Sequence, residues 1–340
     1  MSYKIKDKNQ TKSAKPFVKW AGGKTSIVDI LESQLPKEFD SQQDVTYIEP
    51  FVGGGGMLFH MLVHHKNIRQ VIINDINADL MHCYKLTKTN PELLIAKLKQ
   101  IEIDFYHFDD QESRKLYYYN MRQLYNSGTM TKDERAACFI FLNRTCFNGL
   151  YRENMDGKFN VPFGKNKNPR ICDPETILAD QKVLSRVDIY VGNYSKVIDH
   201  LGNGYNFLFM DPPYRPLTDT SSFMLYSKAG FGDNEQRNLK EFCDKLSQKG
   251  CKLMLCNSFS FDTNGDSFFE KLYKEYWVKK IAAPRYINAY AEKREKETEL
   301  LFRNYEYTQE TIADDCLEHE TVIIKDINDQ TKFKKNLILK

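Results

Sequence analysis

The sequence predicts an α/β fold, in which a twisted and mostly parallel β-sheet carries helices on both faces. Two short runs of apolar, β-branched or aromatic residues, 45–48 and 207–210, are typical of strands buried on both faces. The order strand, glycine loop, helix, strand and acidic residue between 45 and 75 is that of a βαβ unit. Residues 84–180 interrupt this pattern and predict a helical and β-hairpin insert.

The βαβ unit ends on groups that can hold a ligand. Strand 45–48 leads through Phe51 into four successive glycines, 53–56. Glycines let a backbone pass close to a ligand where a Cβ would collide. A helix and a second strand follow, and Asp75 comes about twenty residues after the glycines, as expected of a carboxylate that binds ribose hydroxyls. The glycines lack the G-x-G-x-x-G spacing of a dinucleotide site, so a flexible turn with a solvated Asp75 is the alternative.

The run 207–210 is followed directly by Asp211, Pro212, Pro213 and Tyr214. The prolines remove two backbone N–H donors and bias Asp211 away from helical geometry. The Asp211 carboxylate and the Pro212 carbonyl remain as acceptors, and Tyr214 adds a stacking surface. This loop can hold a flat group that bears an amine. An ordinary proline turn is the alternative for the tetrapeptide taken alone.

A third cluster, residues 19–24, ends in Gly-Gly-Lys. It resembles a phosphate loop, but the first glycine and the strand of a Walker motif are missing, which disfavours phosphoryl transfer. Trp20 lies in this cluster between apolar neighbours, so a place in the core is the alternative to a ligand contact.

These clusters, in this order, resemble the Dam-type (D12 class) DNA adenine-N6 methyltransferases, which use S-adenosylmethionine. The similarity spans about residues 16 to 303, with matching segments at 19–24, 49–55, 74–80, 142–144, 147–152, 157–164 and 211–214. It implies a Rossmann-like S-adenosylmethionine-dependent methyltransferase fold with a target-recognition insert. Position by position, it implies that the cofactor is contacted by Trp20, Lys24, Phe51, Gly53, Asp75 and Asp211. It places the chemistry at Asp211, Pro212, Pro213 and Tyr214.

The chemistry that this resemblance implies is physically consistent with the Asp211 loop. Adenine N6 is a poor nucleophile because its lone pair is delocalised into the ring. Acceptors at Asp211 and at the Pro212 carbonyl would localise that pair, most effectively where water is excluded. The methyl group then needs only in-line placement, without a covalent enzyme intermediate. An adenine inside a duplex must be flipped out to reach such a loop, with Tyr214 stacking on it.

The insert is expected to read DNA. Apolar spacing predicts helices over 91–101, 113–125 and 132–142, and the Asp-Gly pair in 154–157 predicts a hairpin with a return strand at 159–161. The resemblance implies DNA contacts by Lys19, Asn148, Leu150, Arg152, Pro162 and Lys165, although relatives often carry arginine at the last position. A solvated charged loop is the alternative. A second basic stretch, 279–296, is expected on a late loop facing the same duplex.

Composition sets the remaining expectations. The net charge of +3 is too small to prove nucleic-acid binding, so the local basic clusters matter more. None of the eight cysteines forms a C-x-x-C pair and no signal peptide or long apolar span is visible, which favours reduced thiols, a cytoplasmic protein and no membrane. His60 and His64 lie four apart, but no metal is expected because further ligands are not visible in the sequence.

The predicted organisation is a disordered terminus (1–14), a catalytic methyltransferase domain (15–83 and 181–305), a target-recognition domain (84–180) and a tail (306–340). The predicted function is methyl transfer from S-adenosylmethionine to N6 of a flipped adenine in double-stranded DNA, with S-adenosylhomocysteine as product. GATC is the expected site, a monomer or weak dimer the expected state, and a cognate restriction endonuclease on the same site the expected partner. The alternatives are a methyltransferase of this fold acting on RNA, cytosine N4 or a protein side chain, and a catalytically silent DNA-binding protein.

Overall fold

A computed structural model of the chain describes residues 13–215, 231–260, 267–284 and 296–306. Its seven-stranded sheet has the order β3-β2-β1-β4-β5-β7-β6. The strands are β1 Val45–Glu49, β2 Ile68–Asp75, β3 Val187–Val191, β4 Tyr205–Met210, β5 Lys252–Ser258, β6 Trp277–Pro284 and β7 Lys296–Arg303. Six strands share one direction, and β7 runs antiparallel between β5 and β6. The predicted mostly parallel sheet is confirmed.

Nine α-helices are described along the same ranges. They are α1 Val28–Glu32, α2 Gly56–His64, α3 Ala78–Thr89, α4 Pro91–Tyr106, α5 Gln111–Ser127, α6 Lys132–Thr145, α7 Pro174–Leu184, α8 Asp233–Gln248 and α9 Phe268–Leu272. Local sequence explains several starts: Asn90 caps α4 ahead of Pro91, and Thr131 and Glu134 form a capping box on α6. None of these helices is long and apolar enough to span a membrane.

The two faces of the sheet bury alternate side chains of each strand. Tyr47 and Phe207 point to the side covered by α2 and α3, whereas Ile48 and Leu208 point to the side covered by α8. Successive side chains of a strand alternate between faces, so a strand covered on both sides must be apolar throughout. This is why the short apolar runs of the sequence predicted these strands correctly.

The insert shares its core with the sheet. Phe105 of α4 and Phe141 of α6 are buried in the same cluster as Tyr47 and Phe207. Helices α3 and α7 run through positions 84 and 180, so the chain passes into and out of the insert within helices. The three helices predicted for this region are present as α4, α5 and α6. The division into domains stays a prediction.

The predicted hairpin turns at 154–157, where Gly157 has φ +73° and Asn154 N–H donates to the Lys158 carbonyl at 2.9 Å. Single bridges pair Glu153 with Phe159 and Cys146 with Phe163. The hairpin turn is therefore present, but the strand predicted at 159–161 is not, because single bridges replace a continuous ladder there.

The N-terminal segment 13–20 is held by side chains of helices α6 and α7. Lys15 N–H donates to Asp180 of α7 at 2.9 Å, and the Phe17 carbonyl accepts from Arg144 of α6. Asn143 binds both the N–H and the C=O of Lys19. Burial raises the pKa of Asp180 to about 8, so this carboxyl is mostly neutral at pH 7.

One prediction about the late part of the chain is wrong. Lys279 and Lys280 were expected on a loop, but they lie in β6, the strand at the edge of the sheet. Residues 285–295 of that basic stretch, and residues 307–340 of the predicted tail, lie outside the described residues. The seven described cysteines are all buried and none is in a disulfide.

Candidate functional site

A cleft of about 730 Å³ opens at the carboxyl ends of the parallel strands. Ligands bind at this edge in open α/β sheets. All three clusters of the sequence reach it: the glycine loop after β1, the loop after β4, and the segment ending at Lys24. Its wall also includes residues that sequence reasoning did not single out, which are Glu49, Ile76, Gly192, Asn193, Tyr194, Phe231, Glu235 and Asn238.

The glycine loop packs tightly against Trp20. Gly53 has φ +49°, and a Cβ there would lie 2.8 Å from the indole ring. The same ring is stacked on Tyr151 of the insert, with centroids 5.7 Å apart, and on Phe139. Trp20 is half-buried, so it lines the cleft and packs against the core at once. This packing agrees with the core alternative drawn from the sequence, and the contact of Trp20 with a ligand stays a prediction.

Asp75 stands at the end of β2 with its carboxylate fixed by two backbone donors. Gly53 N–H donates to one oxygen at 3.1 Å and Asn77 N–H to the other at 2.9 Å. Burial raises the pKa of Asp75, and these N–H groups oppose the shift. Each carboxylate oxygen has a second lone pair. Asp75 can therefore accept further hydrogen bonds from vicinal hydroxyls in the cleft.

Lys24 is buried beside Asp211. Its ammonium lies 3.0 Å from the Asp211 carboxylate and donates at 2.7 Å to both the Gly22 carbonyl and the Tyr214 hydroxyl. A second carboxylate, Glu299 of β7, lies 3.6 Å away. Burial opposes the charge on Lys24, but the two carboxylates outweigh it and raise its pKa. Burial raises the pKa of Asp211 and Lys24 lowers it, so the lysine favours the ionised carboxylate.

Glu49 is another carboxyl group of the cleft, and it is paired with a neutral hydroxyl, whereas Asp211 lies beside the Lys24 ammonium. Its side chain is buried and accepts a 2.5 Å hydrogen bond from the Tyr47 hydroxyl. Burial raises the pKa of Glu49 to about 8, although the bond from Tyr47 lowers it. Glu49 is therefore mostly neutral at pH 7.

The Asp211 loop is braced from behind by a chain of amides. Gln236 of α8 donates to the Pro213 carbonyl at 3.1 Å, and Asn257 of β5 donates to Gln236 at 3.1 Å. Both amides are fully buried. Gln236 and Asn257 carry no sequence signal of their own, because an isolated amide in a helix or strand fits no motif.

Phe51 forms part of an aromatic wall of the cleft. Its ring centroid lies 5.0 Å from that of Tyr194, which follows β3, and 6.0 Å from that of Phe231, which precedes α8. Flat apolar ligand groups pack well against such a wall.

Most of the residues expected to read DNA lie on joined segments. The Lys19 side chain covers Gly149, where a Cβ would come within 2.5 Å of it, and Asn143 binds the backbone of both. Asn148 has φ +54°, and the Pro162 carbonyl accepts from Phe147 N–H at 2.9 Å. The structure thus brings three segments together: the turn 147–150, which holds Asn148 and Leu150, then Lys19 beside Gly149, and Pro162 bonded to Phe147. We call the turn 147–150 with these two neighbours the recognition turn.

Arg152 and Lys165 flank this turn. Arg152 lies on the outgoing arm of the hairpin and donates to Asn160 of the return arm at 2.7 Å. Lys165 lies just after the return arm and is exposed.

His60 and His64 stack on α2 with centroids 4.3 Å apart. The acidic neighbours that the sequence did not locate come from α1: His60 Nε2 lies 2.7 Å from Glu32, and Asp29 is close enough for the three to share an ion. None of them lines the cleft. The expectation of no metal stays a prediction.

Comparison with known proteins decides the family. The family model described as D12 class N6 adenine-specific DNA methyltransferase matches residues 20–287. The chain belongs to this family. Its resemblance, stated above from motifs, is thereby confirmed over most of the chain.

Three relatives match the D12 chain along nearly their whole length. Type II methyltransferase M.MjaIII of Methanocaldococcus jannaschii is 45% identical over 86% of this chain and 99% of that protein. Type II methyltransferase M1.LlaDCHI of Lactococcus lactis subsp. cremoris is 35% identical over 86% and 95%. A DNA adenine methylase of Vibrio cholerae serotype O1 is 30% identical over 85% and 96%.

Membership in the D12 family implies S-adenosylmethionine as methyl donor and DNA as substrate. The cleft fits such a donor on its own features. Asp75 has unused lone pairs for hydroxyl groups, the glycine loop lines the cleft, and the Asp211 carboxylate can face a positively charged sulfonium.

Proposed function

We propose that this chain transfers a methyl group from S-adenosylmethionine to N6 of a flipped adenine in double-stranded DNA, at GATC sites. The observation that carries the proposal is the meeting of Asp211, Asp75 and the glycine loop in one cleft, with the Lys19–Gly149 contact of the recognition turn close by. Family membership favours this reaction over RNA, cytosine N4 or protein side chains.

The residues that would hold the cofactor are those of the glycine-loop side of the cleft. Asp75 would accept hydrogen bonds from the ribose hydroxyls of the cofactor, and Phe51 would pack against its flat or apolar groups. Gly53 would let the backbone of the glycine loop lie close to Trp20 at the wall of the cleft. When bound, S-adenosylmethionine supplies an electrophilic methyl group.

Asp211 and the Pro212 carbonyl would bind the two N–H groups of the target amine. Lys24 helps keep Asp211 ionised, and an ionised carboxylate is the stronger acceptor. As the nitrogen takes the methyl group, whose bond to the sulfonium sulfur breaks with the electron pair going to sulfur, it becomes positive, and its proton then passes to Asp211 or to water. A fixed carboxylate in a site closed to water stabilises that developing charge.

Tyr214 would stack on the extruded base, since its ring is held at the same loop and its hydroxyl is bound by Lys24. Leu150, Arg152 and Pro162 would read base edges of the duplex, with Asn148 and Lys165 nearby and Lys19 as a further DNA contact.

GATC is proposed because the hairpin sequence resembles that of family members acting on this site. Relatives named Type II methyltransferase support a restriction-modification setting in which a cognate endonuclease shares the site. A monomer or weak dimer in the cytoplasm completes the proposal.

The variant Asp211→Ala tests the reaction. We expect methyl transfer to be abolished, while binding of S-adenosylmethionine is weakened or intact. The measurement is incorporation of labelled methyl into DNA, with protein and RNA as parallel substrates. Sequencing of DNA from expressing cells, by a method that detects N6-methyladenine, gives the base and the site together.

Near wild-type activity of Asp211→Ala would overturn the assignment of this loop. DNA binding without any cofactor binding in the wild-type protein would instead indicate the catalytically silent alternative. Methylation at a site other than GATC would leave the reaction in place and correct the site alone.

A further inference from the structure

The Lys24 ammonium has more acceptors around it than hydrogens to donate. It donates to the Gly22 carbonyl and the Tyr214 hydroxyl, and it contacts Asp211 at 3.0 Å. These three partners use its three N–H bonds. Glu299, at 3.6 Å, therefore interacts with Lys24 by charge and not through a hydrogen bond.

The second contact of Glu299 is with Tyr214. The Tyr214 hydroxyl accepts from Lys24, and it lies near enough to Glu299 for the two side chains to interact. Because the phenol has a single hydrogen and already accepts from Lys24, that hydrogen is available to the neighbouring Glu299 carboxylate. Glu299 thus constrains two groups at once, Lys24 through charge and Tyr214 through its hydroxyl.

The direction of β7 explains how Glu299 reaches this place. It pairs with Ser258 near the carboxyl end of β5, because β7 runs antiparallel and its first residues lie at the edge where the parallel strands end. The Glu299 side chain is 15% exposed and is not part of the cleft wall. It lies behind Lys24 and Tyr214, so it acts on a bound base only through them.

We infer that Glu299 is a positioning residue for methyl transfer, which holds Lys24 and Tyr214 so that Asp211 keeps an accepting oxygen for the target amine. This inference rests on the proposed role of Asp211. One lysine shared between two carboxylates neutralises each only in part, so Asp211 remains a strong acceptor. Without Glu299, Lys24 would neutralise Asp211 alone and the Tyr214 ring would lose one of its two anchors.

The test is a single-turnover measurement on the full-length Glu299→Gln enzyme, with saturating S-adenosylmethionine and a duplex containing GATC. We expect the rate constant to fall about 10- to 100-fold, as for a small misplacement of reacting groups. The affinity for S-adenosylmethionine should change little. Glu270→Gln is the matched control, because it breaks a contact with Lys280, at 3.2 Å, outside the cleft. Its rate should equal that of the wild type.

The pH profile separates positioning from a merely structural effect. The titratable groups around Glu299 are Lys24, Asp211, Tyr214 and Cys256. Burial raises the pKa of Tyr214 and Cys256 well above their usual values, so neither titrates in the acid range. The acid limb therefore reports the cleft carboxyl groups, which are Glu49, Asp75 and Asp211, and the Glu299 variant changes only the part that comes from Asp211 coupled to Glu299. Removing a neighbouring negative charge lowers the pKa of Asp211, so the limb should move to lower pH in Glu299→Gln.

The variant Tyr214→Phe tests the same link from its other end. It removes the hydroxyl and keeps the stacking ring, and its effect should be less than multiplicative with that of Glu299→Gln. A wild-type rate and an unmoved acid limb in Glu299→Gln would overturn the inference. If that variant does not fold, a wild-type rate in Tyr214→Phe would overturn it instead. An inactive Asp211→Ala enzyme beside a wild-type-like Glu299→Gln enzyme would remove only this inference, whereas an active Asp211→Ala enzyme would remove the proposed function itself.

Discussion

The cleft and the hairpin between residues 146 and 163, which we propose reads DNA, are built in different ways. The cleft takes its groups from the ends of strands, so the sheet itself fixes Asp75 and Asp211. The hairpin has only single bridges within the described ranges, and side chains of α5 hold its backbone. Tyr118 and Arg122 both donate to the Val161 carbonyl, at 2.8 and 3.0 Å.

Asn126 completes this support of the hairpin. Its amide donates to the Phe159 carbonyl and accepts from the Phe159 N–H, both at 2.9 Å. An amide side chain thus replaces the neighbouring strand that a sheet would provide. Under the proposed function, this contrast means that the reacting groups are anchored in the sheet, whereas recognition depends on side-chain contacts. The target site could then change without rebuilding the cleft.

The largest expected effect comes from breaking the charge cluster of the cleft. In Lys24→Met, Asp211 and Glu299 lose their shared cation, which costs about 3–5 kcal/mol when a buried partner is removed. We expect methyl transfer to be lost and the urea midpoint to fall. Binding of the duplex, measured by anisotropy on the folded protein, should change far less. An equal loss of both activities would contradict the separation of the two regions.

A smaller effect is expected from breaking the support of the hairpin. Asn126→Ala leaves the Phe159 backbone groups without their partners, at a cost of about 1–3 kcal/mol. We expect weaker binding and poorer discrimination of the cognate duplex, with unchanged affinity for S-adenosylmethionine. Asn120, exposed on the same helix, gives the control Asn120→Ala. A loss of cofactor affinity in Asn126→Ala would show that the regions are not separable.

The pH dependence of stability should report Glu49, one of the cleft carboxyl groups whose pKa is raised by burial. Its folded-state pKa, about 8, lies above the unfolded value, so folding retains a proton that the unfolded chain releases. The stability is fullest below the unfolded pKa and falls as the pH rises towards 8. Glu49→Gln removes this fall, so its melting temperature should gain on the wild type between pH 5 and 9. Parallel curves for the two proteins would contradict a neutral Glu49.

The smallest effect is expected at the rim of the recognition region. If Lys165 contacts a phosphate, Lys165→Gln should weaken binding uniformly and reduce the slope of log affinity against log salt by about 1. Lys249, exposed at the end of α8, gives the control Lys249→Gln. An unchanged slope would remove Lys165 from the contact set. A change in site preference would make it a base reader instead.

Much of this architecture could be predicted from the sequence. Strands such as β1 and β4 are apolar because both faces are covered, and the glycine loop and Asp211 follow them directly. Glu299 could not be found in this way, because it precedes an apolar run instead of following one. Only the reversed direction of β7 brings it to the site.

The error at Lys279 and Lys280 has a similar physical origin. A pair of lysines was taken to indicate a loop, but β6 is an edge strand, and edge strands often carry lysines that discourage pairing with other chains. Local charge alone does not separate these two situations, since both place the side chains in water.

Segment 13–20 has a practical consequence for anyone who wants to reprogram the enzyme towards another target. It is clamped by Asn143, Arg144 and Asp180, and it carries Lys19 to the recognition turn and Trp20 to the glycine loop. A chimaera that exchanged only the hairpin would keep the original Lys19, which would then contact a turn from another protein. The hairpin and segment 13–20 should therefore be exchanged together.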